Sequence, residues 1–303
     1  MSTGKEGIGP GPESRWRFRH LHARRKTAGP VTVRHVTPSG NDIRVIPVAC
    51  GMPLVAEPFA TAGSAALTCL LPLGTACFPE AEDGAAALLA ELVLRGVEGL
   101  DARQHSDALD RLGVQRSVTV GTYHLHLSAT MLGSRLEEAL PLITAMITRP
   151  ALPASALDAA RSLCLQSLAG LDDEPQERVM VRLRERHLPA PINRHSYGRR
   201  EVLEQLPIDA LVRAWKSRCV PRGAIFAVAG RCDPDRVAAA LNEQLEGWTG
   251  AWTEPAAADH GDGGIEHLAE ETAQTHMGIA WNAPIEGAPG SMTERLATRI
   301  LGG

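Results

Sequence analysis

Aromatic residues make up only 4% of the 303-residue chain, so a core must be filled mainly by Ala, Leu and Val. Cysteines are few and scattered, at 50, 69, 77, 164, 219 and 232, with no CxxC spacing. In a chain of this length they read as buried or free thiols and not as a disulfide framework. No apolar run approaches the length of a membrane span. The N-terminus has no apolar h-region of a secretory signal, which makes a cytoplasmic location the default expectation. Positive charge is not in excess either. The net charge of −4 argues against a general nucleic-acid binder, which would be basic over a whole domain. GxSxG and GxxxxGK are both absent, leaving serine-hydrolase catalysis and nucleotide binding without support.

What remains is an ordinary globular composition, 44% hydrophobic and 22% charged, long enough for one large domain or two ordinary ones. Met1–Pro30 is Gly/Pro-rich and then basic (Arg15, Arg17, Arg19, Arg24, Arg25, Lys26), and reads as a disordered tail. Val31–Val36 and Ile43–Val48 read as a strand pair, and Ser64–Leu73 as a longer apolar strand covered on both faces. Val118–Met131 alternates like one half-covered strand, with Tyr123, Leu125, Leu127 and Met131 on one face and His124, His126, Ser128 and Thr130 on the other. Asp101–Leu112 reads as a helix. Ser134 with Glu137 suggests a capping box for a helix running to Thr148. A long helix is expected over 155–171, shorter ones over 200–205 and 208–218, a buried strand at Ala224–Gly230 and a helix capped by Asp233. Strands separated by helix pairs, without strict βαβ alternation, predict an α+β fold with a mainly antiparallel sheet and helices on one face. Residues 31–250 form one domain on this reading and 251–264 a linker. Residues 265–303, with a strand at Gln274–Trp281 and a helix at Ser291–Leu301, would open a second, truncated domain.

The chain is organised around Gly84–Gly96, GAAALLAELVLRG, which has helical spacing. Leu88, Leu89, Leu92 and Val93 form the apolar stripe, while Ala87, Ala90 and Glu91 fall at i, i+3, i+4 on another side. Three residues so spaced project together, as the ligands of a helix-borne metal site would. Two of the three are alanines, which can neither bind a metal nor move a proton. Ala87 and Ala90 are equally ordinary helix formers, and Glu91 has Arg95 four residues on as an ion-pair partner.

The order of landmarks resembles that of the insulinase/pitrilysin-type peptidases, the inverzincins with the H-x-x-E-H signature. The resemblance rests on Asn41–Pro58 as first hairpin and Leu73–Gly84 (LGTACFPEAEDG) as lead-in to the metal helix. It extends to the long helix before Asp173-Glu174-Pro175, Ser196-Tyr197-Gly198 with Glu201, Ala224–Asp233 (AIFAVAGRCD), and Gln274-Thr275-His276 with Ile300–Gly303. Aligned on Gly84 and Gly96, the family's first ligand histidine falls on Ala87, its catalytic glutamate on Ala90 and its second ligand histidine on Glu91. The third ligand falls near Ser167 or Leu168, and no acidic residue lies between Asp158 and Asp172. The resemblance therefore implies a non-catalytic member, with no catalytic, metal or cofactor-binding residue assigned. It would pair as a heterodimer with a motif-bearing homologue and help hold an unfolded peptide substrate, without a nucleic-acid or membrane role. Two alternatives stay open: an active zinc peptidase with other ligands, and a scaffold subunit without a peptidase partner. His124 and His126 could bind zinc or copper only with a third ligand, and otherwise belong to the polar sheet face. His187, His195 and His276 stand alone.

Overall fold

Alternating apolar residues build a seven-stranded sheet, and the face that they share is the face the helices cover. The computed structural model describes residues 33–36, 42–256, 261–269 and 274–301. The basic tail and Val31 lie outside these residues. The strands are β1 (Val33–Val36), β2 (Asp42–Pro47), β3 (Pro53–Pro58), β4 (Ser64–Leu71), β7 (Gln115–Val120), β8 (Leu125–Leu132) and β9 (Ile225–Gly230). Their order is β1-β2-β3-β9-β4-β8-β7, and only β3 and β9 run parallel. β5 (Gly96–Val97) and β6 (Leu100–Asp101) form a separate two-stranded ribbon.

Register places Leu67 against Ala129 and Val228, and Cys69 against Leu127 and Phe226, all buried on one face. Eight-residue β4 is therefore fully buried on one side only; on the other, Ser64 and Ala66 are exposed and Thr68 and Leu70 half-buried. That open face is polar across three strands. Ser117, Ser128 and Thr68 stand in one row, Thr119, His126 and Leu70 in the next, with Thr68 Oγ1 and Ser128 Oγ 3.1 Å apart. The 118–131 stretch is not one strand but a hairpin, turned at 121–124 between β7 and β8. The inward-facing residues change parity across this turn, from Val118 and Val120 to Leu125 and Leu127, so the apolar phase breaks where the chain reverses.

The helices are α1 (Ala85–Leu92), α2 (Ala102–Arg111), α3 (Leu136–Thr148), α4 (Leu157–Gly170), α5 (Pro175–His187), α6 (Arg200–Gln205), α7 (Ile208–Arg218), α8 (Pro234–Gln244) and α9 (Ser291–Leu301). Asp101 and Gln104 close a full capping box at the start of α2, and Asp233 accepts from two backbone N–H groups of α8. The box expected at Ser134 does not form. Ser134 sits inside a 3-10 turn, Gly133–Arg135, and Glu137 instead pairs with Arg236 of α8. The core joins Leu88, Leu89 and Leu92 of α1 with Ala139, Leu140 and Ile143 of α3, Ala160 and Cys164 of α4, and Leu211 and Trp215 of α7.

The strand expected at Gln274–Trp281 is not formed: the stretch belongs to neither sheet among the described residues. Its backbone lies along α5, where a Cβ on Gly278 would touch Val179 and Leu183. Met277, Ile279 and Trp281 face outward, 80%, 69% and 46% exposed. No helix among the described residues is long and apolar enough to cross a membrane.

Candidate functional site

The lead-in to α1, residues 74–83, consists of two short 3-10 turns, Thr75–Cys77 and Glu80–Glu82, and is fixed by groups from elsewhere in the chain. The β7–β8 turn supplies three acceptors. Gly74 N–H donates to Tyr123 O (3.1 Å), Thr75 N–H to Gly121 O (3.0 Å) and Ala76 N–H to Thr122 O (2.9 Å). Arginines supply the donors. Arg194 donates to Phe78 O (2.5 Å), and Arg218 donates to Cys77 O (3.0 Å) while lying 5.0 Å from the centre of the Phe78 ring. Arg199 pairs with Glu80, and Arg184 of α5 ties the turn itself down through Thr122 Oγ1 (2.6 Å), Ile192 O and Arg194 O. Guanidinium groups suit this work because five fixed donors can satisfy several carbonyls at once.

Asp83 ends the lead-in and is buried, which raises its carboxyl above the usual range against the pull of Arg194, His195 and Arg199. Gly84 then opens α1 at φ +119, a backbone state that other residues rarely adopt. Gly198 (φ +73) packs against it so closely that a Cβ there would come within 2.4 Å of Gly84 Cα. Ser196-Tyr197-Gly198 thus acts as the clamp on the helix start. His195 belongs to this loop too: its Nδ1 accepts from Tyr197 N–H (3.2 Å) and its Nε2 lies 3.5 Å from Glu185.

On α1, Ala87 is half-buried, Ala90 is 7% exposed and Glu91 is half-buried. Glu91 pairs with Arg95 at 3.6 Å, as their spacing predicts. α4 packs beside α1 and turns Cys164 toward Glu91; burial, with that carboxylate nearby, raises the thiol to about 11. Ser167 is exposed and Leu168 packs on the core. This set does not fit a zinc centre, which needs three protein donors and an open position. Methyl groups stand at two of the three helix positions, and the only carboxylate already has a cationic partner. Among the described residues no group of three His, Cys, Asp or Glu side chains is arranged to hold a metal ion.

The histidine pair is divided by the hairpin. His124 sits in the turn, with Nε2 3.0 Å from Gly223 O and its ring against Trp252. His126 lies on β8 opposite Thr119, and burial, with His124 nearby, lowers its pKa. Sequence reasoning missed the four arginines and Trp252, whose decisive partners are distant in the chain: Arg184 reaches Thr122, Arg194 reaches Phe78, Arg218 reaches Cys77 and Trp252 meets Tyr123. It also missed Cys164, whose position on the buried stripe of α4 could have given it away. His187 and His276 both line a cleft of about 780 Å³ between α5 and residues 263–269 and 274–280, which contains no residue of α1.

Residues 56–199 match the family model of the insulinases (peptidase family M16). An uncharacterized zinc protease of Mycobacterium tuberculosis is 23% identical over 215 residues, covering 67% of this chain and 48% of the relative. One from Mycobacterium leprae is 25% identical over 167 residues, covering 54% and 37%. The chain thus spans about half the length, or less, of these curated relatives. Among solved structures, the inactive domain of an M16 peptidase from Pseudomonas fluorescens aligns with a TM-score of 0.64 at 16% identity, covering 71% of this chain and 53% of that one. A protease from Helicobacter pylori aligns at 0.65 and 15% identity, covering 72% and 54%. The periplasmic protease PqqL of Escherichia coli aligns at 0.63 and 12% identity, covering 71% and 25%.

Proposed function

Because the chain belongs to the insulinase family, peptidase family M16, we propose that it is a non-catalytic member of that family. It would act as a peptide-holding subunit that pairs with a homologue carrying H-x-x-E-H. The observation that carries this reading is the contrast within one element. The lead-in to α1 is held by Arg194, Arg199, Arg218 and the β7–β8 turn, yet the helix presents Ala87, Ala90 and an Arg95-paired Glu91. Water activation requires a metal with an open position and a base to take the proton, and these side chains supply neither. What the fold does offer a peptide is a polar sheet face (Thr68, His126, Ser128, Thr130) that ends at β7, an edge strand beside α1. An edge strand with an unused ladder side can take an extended segment by main-chain hydrogen bonding.

Residues 265–301 are read as the opening of a second unit, because Ile265, Met277, Ile279, Ile285, Met292 and Ile300 are largely exposed. The partner test is co-expression with a motif-bearing homologue from the same source. Co-purification, together with a peptidase rate above that of the homologue alone, is the expected result. A homologue whose rate and affinity for peptide are indifferent to this chain would favour a scaffold role instead.

A further inference from the structure

We propose that Trp252 is a conformational clip, through which the chain after residue 250 and the loop leading into α1 become ordered together. The 251–264 stretch reads as a linker by composition, but its first residues are seated. Arg222 N–H donates to Gly250 O (3.4 Å), Trp252 N–H donates to Arg222 O (2.7 Å), and Ala251 bridges to Arg222. Gly223, at φ +122, leaves room for the indole: a Cβ there would stand 2.5 Å from Trp252 Cβ.

The ring then meets the β7–β8 turn. It lies edge-on to Tyr123 (centroids 6.2 Å, planes 73° apart) and tilted against His124 at 5.7 Å. His124 is itself tied to Gly223 O, so turn, indole and 222–223 backbone close on one another. The carbonyls of this same turn are those that hold Gly74, Thr75 and Ala76, and Tyr123 O also accepts from the Cys77 thiol (3.2 Å). From Trp252 to the lead-in of α1 is therefore two contacts. The indole N–H is buried with no acceptor at full hydrogen-bond geometry, and the Cys77 thiol of the 74–78 loop lies close enough to feel it. A partner or a following domain that pulls the segment off its seat would release the turn, and with it the 74–78 loop.

Hydrogen exchange on the whole chain tests the coupling. In Trp252→Ala, peptides covering 74–78 and 121–124 should exchange about three- to tenfold faster, the range an aromatic contact spans. Those covering Leu67–Leu71 should be unchanged, and Trp252→Phe should restore protection. Acceleration confined to 250–256, or spread evenly through Leu67–Leu71, would overturn the proposal, as would a Phe variant no better than Ala.

Discussion

Glu91 is the only carboxylate on the candidate-site side of α1, and it and Arg95 are each about a third exposed. Solvent screens such a pair to about 0–1 kcal/mol. Glu91→Ala is therefore expected to shift the unfolding free energy by less than about 1 kcal/mol in a denaturant titration. A loss several times larger would mean that the carboxylate has a buried role. His105 behaves differently. It is fully buried, with Nε2 3.1 Å from Leu142 O and Nδ1 without a partner, and burial first, then Arg116, acts to lower its pKa. The folded state thus resists a proton that the unfolded chain accepts below the ordinary histidine value of about 6.5. Its contribution to stability is present above that pH and is lost as pH falls toward the depressed folded value. Unfolding midpoints measured between pH 7.5 and 5.5 should fall more steeply for the native chain than for His105→Leu. Equal slopes would contradict the assignment.

At the scale of elements, α1 depends on two glycines from distant parts of the chain. Gly198→Ala forces a left-handed residue to carry a Cβ into the Gly84 backbone. The variant should lose more than about 2 kcal/mol of stability. A thermal midpoint within a degree of native would show that the clamp is not needed. The helices and most strands could be read from the sequence because their signals are local: the Leu88–Leu92 stripe, Asp233 before Pro234, and the two glycines that bracket α1. Besides the two-sided cover expected of β4 and the strand expected at 274–281, two expectations failed for physical reasons. The 121–124 turn moves the inward positions from Val118 and Val120 to Leu125 and Leu127, a phase break that a single continuous strand from 118 to 131 ignores, and Ser134 loses its capping role to a 3-10 turn while Glu137 finds Arg236. The candidate site was legible only as a vacancy. Ala87, Ala90 and Glu91 stand in plain sequence, but the arginine supports of 74–83 are non-local pairings, which periodicity cannot report.

For the whole molecule, the sheet and its helix layer form one buried core, whereas 265–301 contributes little to it. Its backbone from 274 to 281 has no ladder, and the apolar side chains of α9 at Met292, Leu296 and Ile300 are 63–77% exposed. Few buried contacts and a backbone outside both sheets place such a segment at the low end of local stability. Amide exchange there should be much faster than in Leu67–Leu71, and comparable protection would contradict this view of the segment. α1 decides whether the molecule can be a peptidase on its own. The most direct test is zinc content and peptidase activity of this chain, purified alone, equilibrated with zinc and freed of excess metal. The side chains at Ala87, Ala90 and Glu91 predict well under one zinc per chain and no peptide hydrolysis. One zinc per chain together with hydrolysis would contradict the claim, and would require ligands other than Ala87, Ala90 and Glu91.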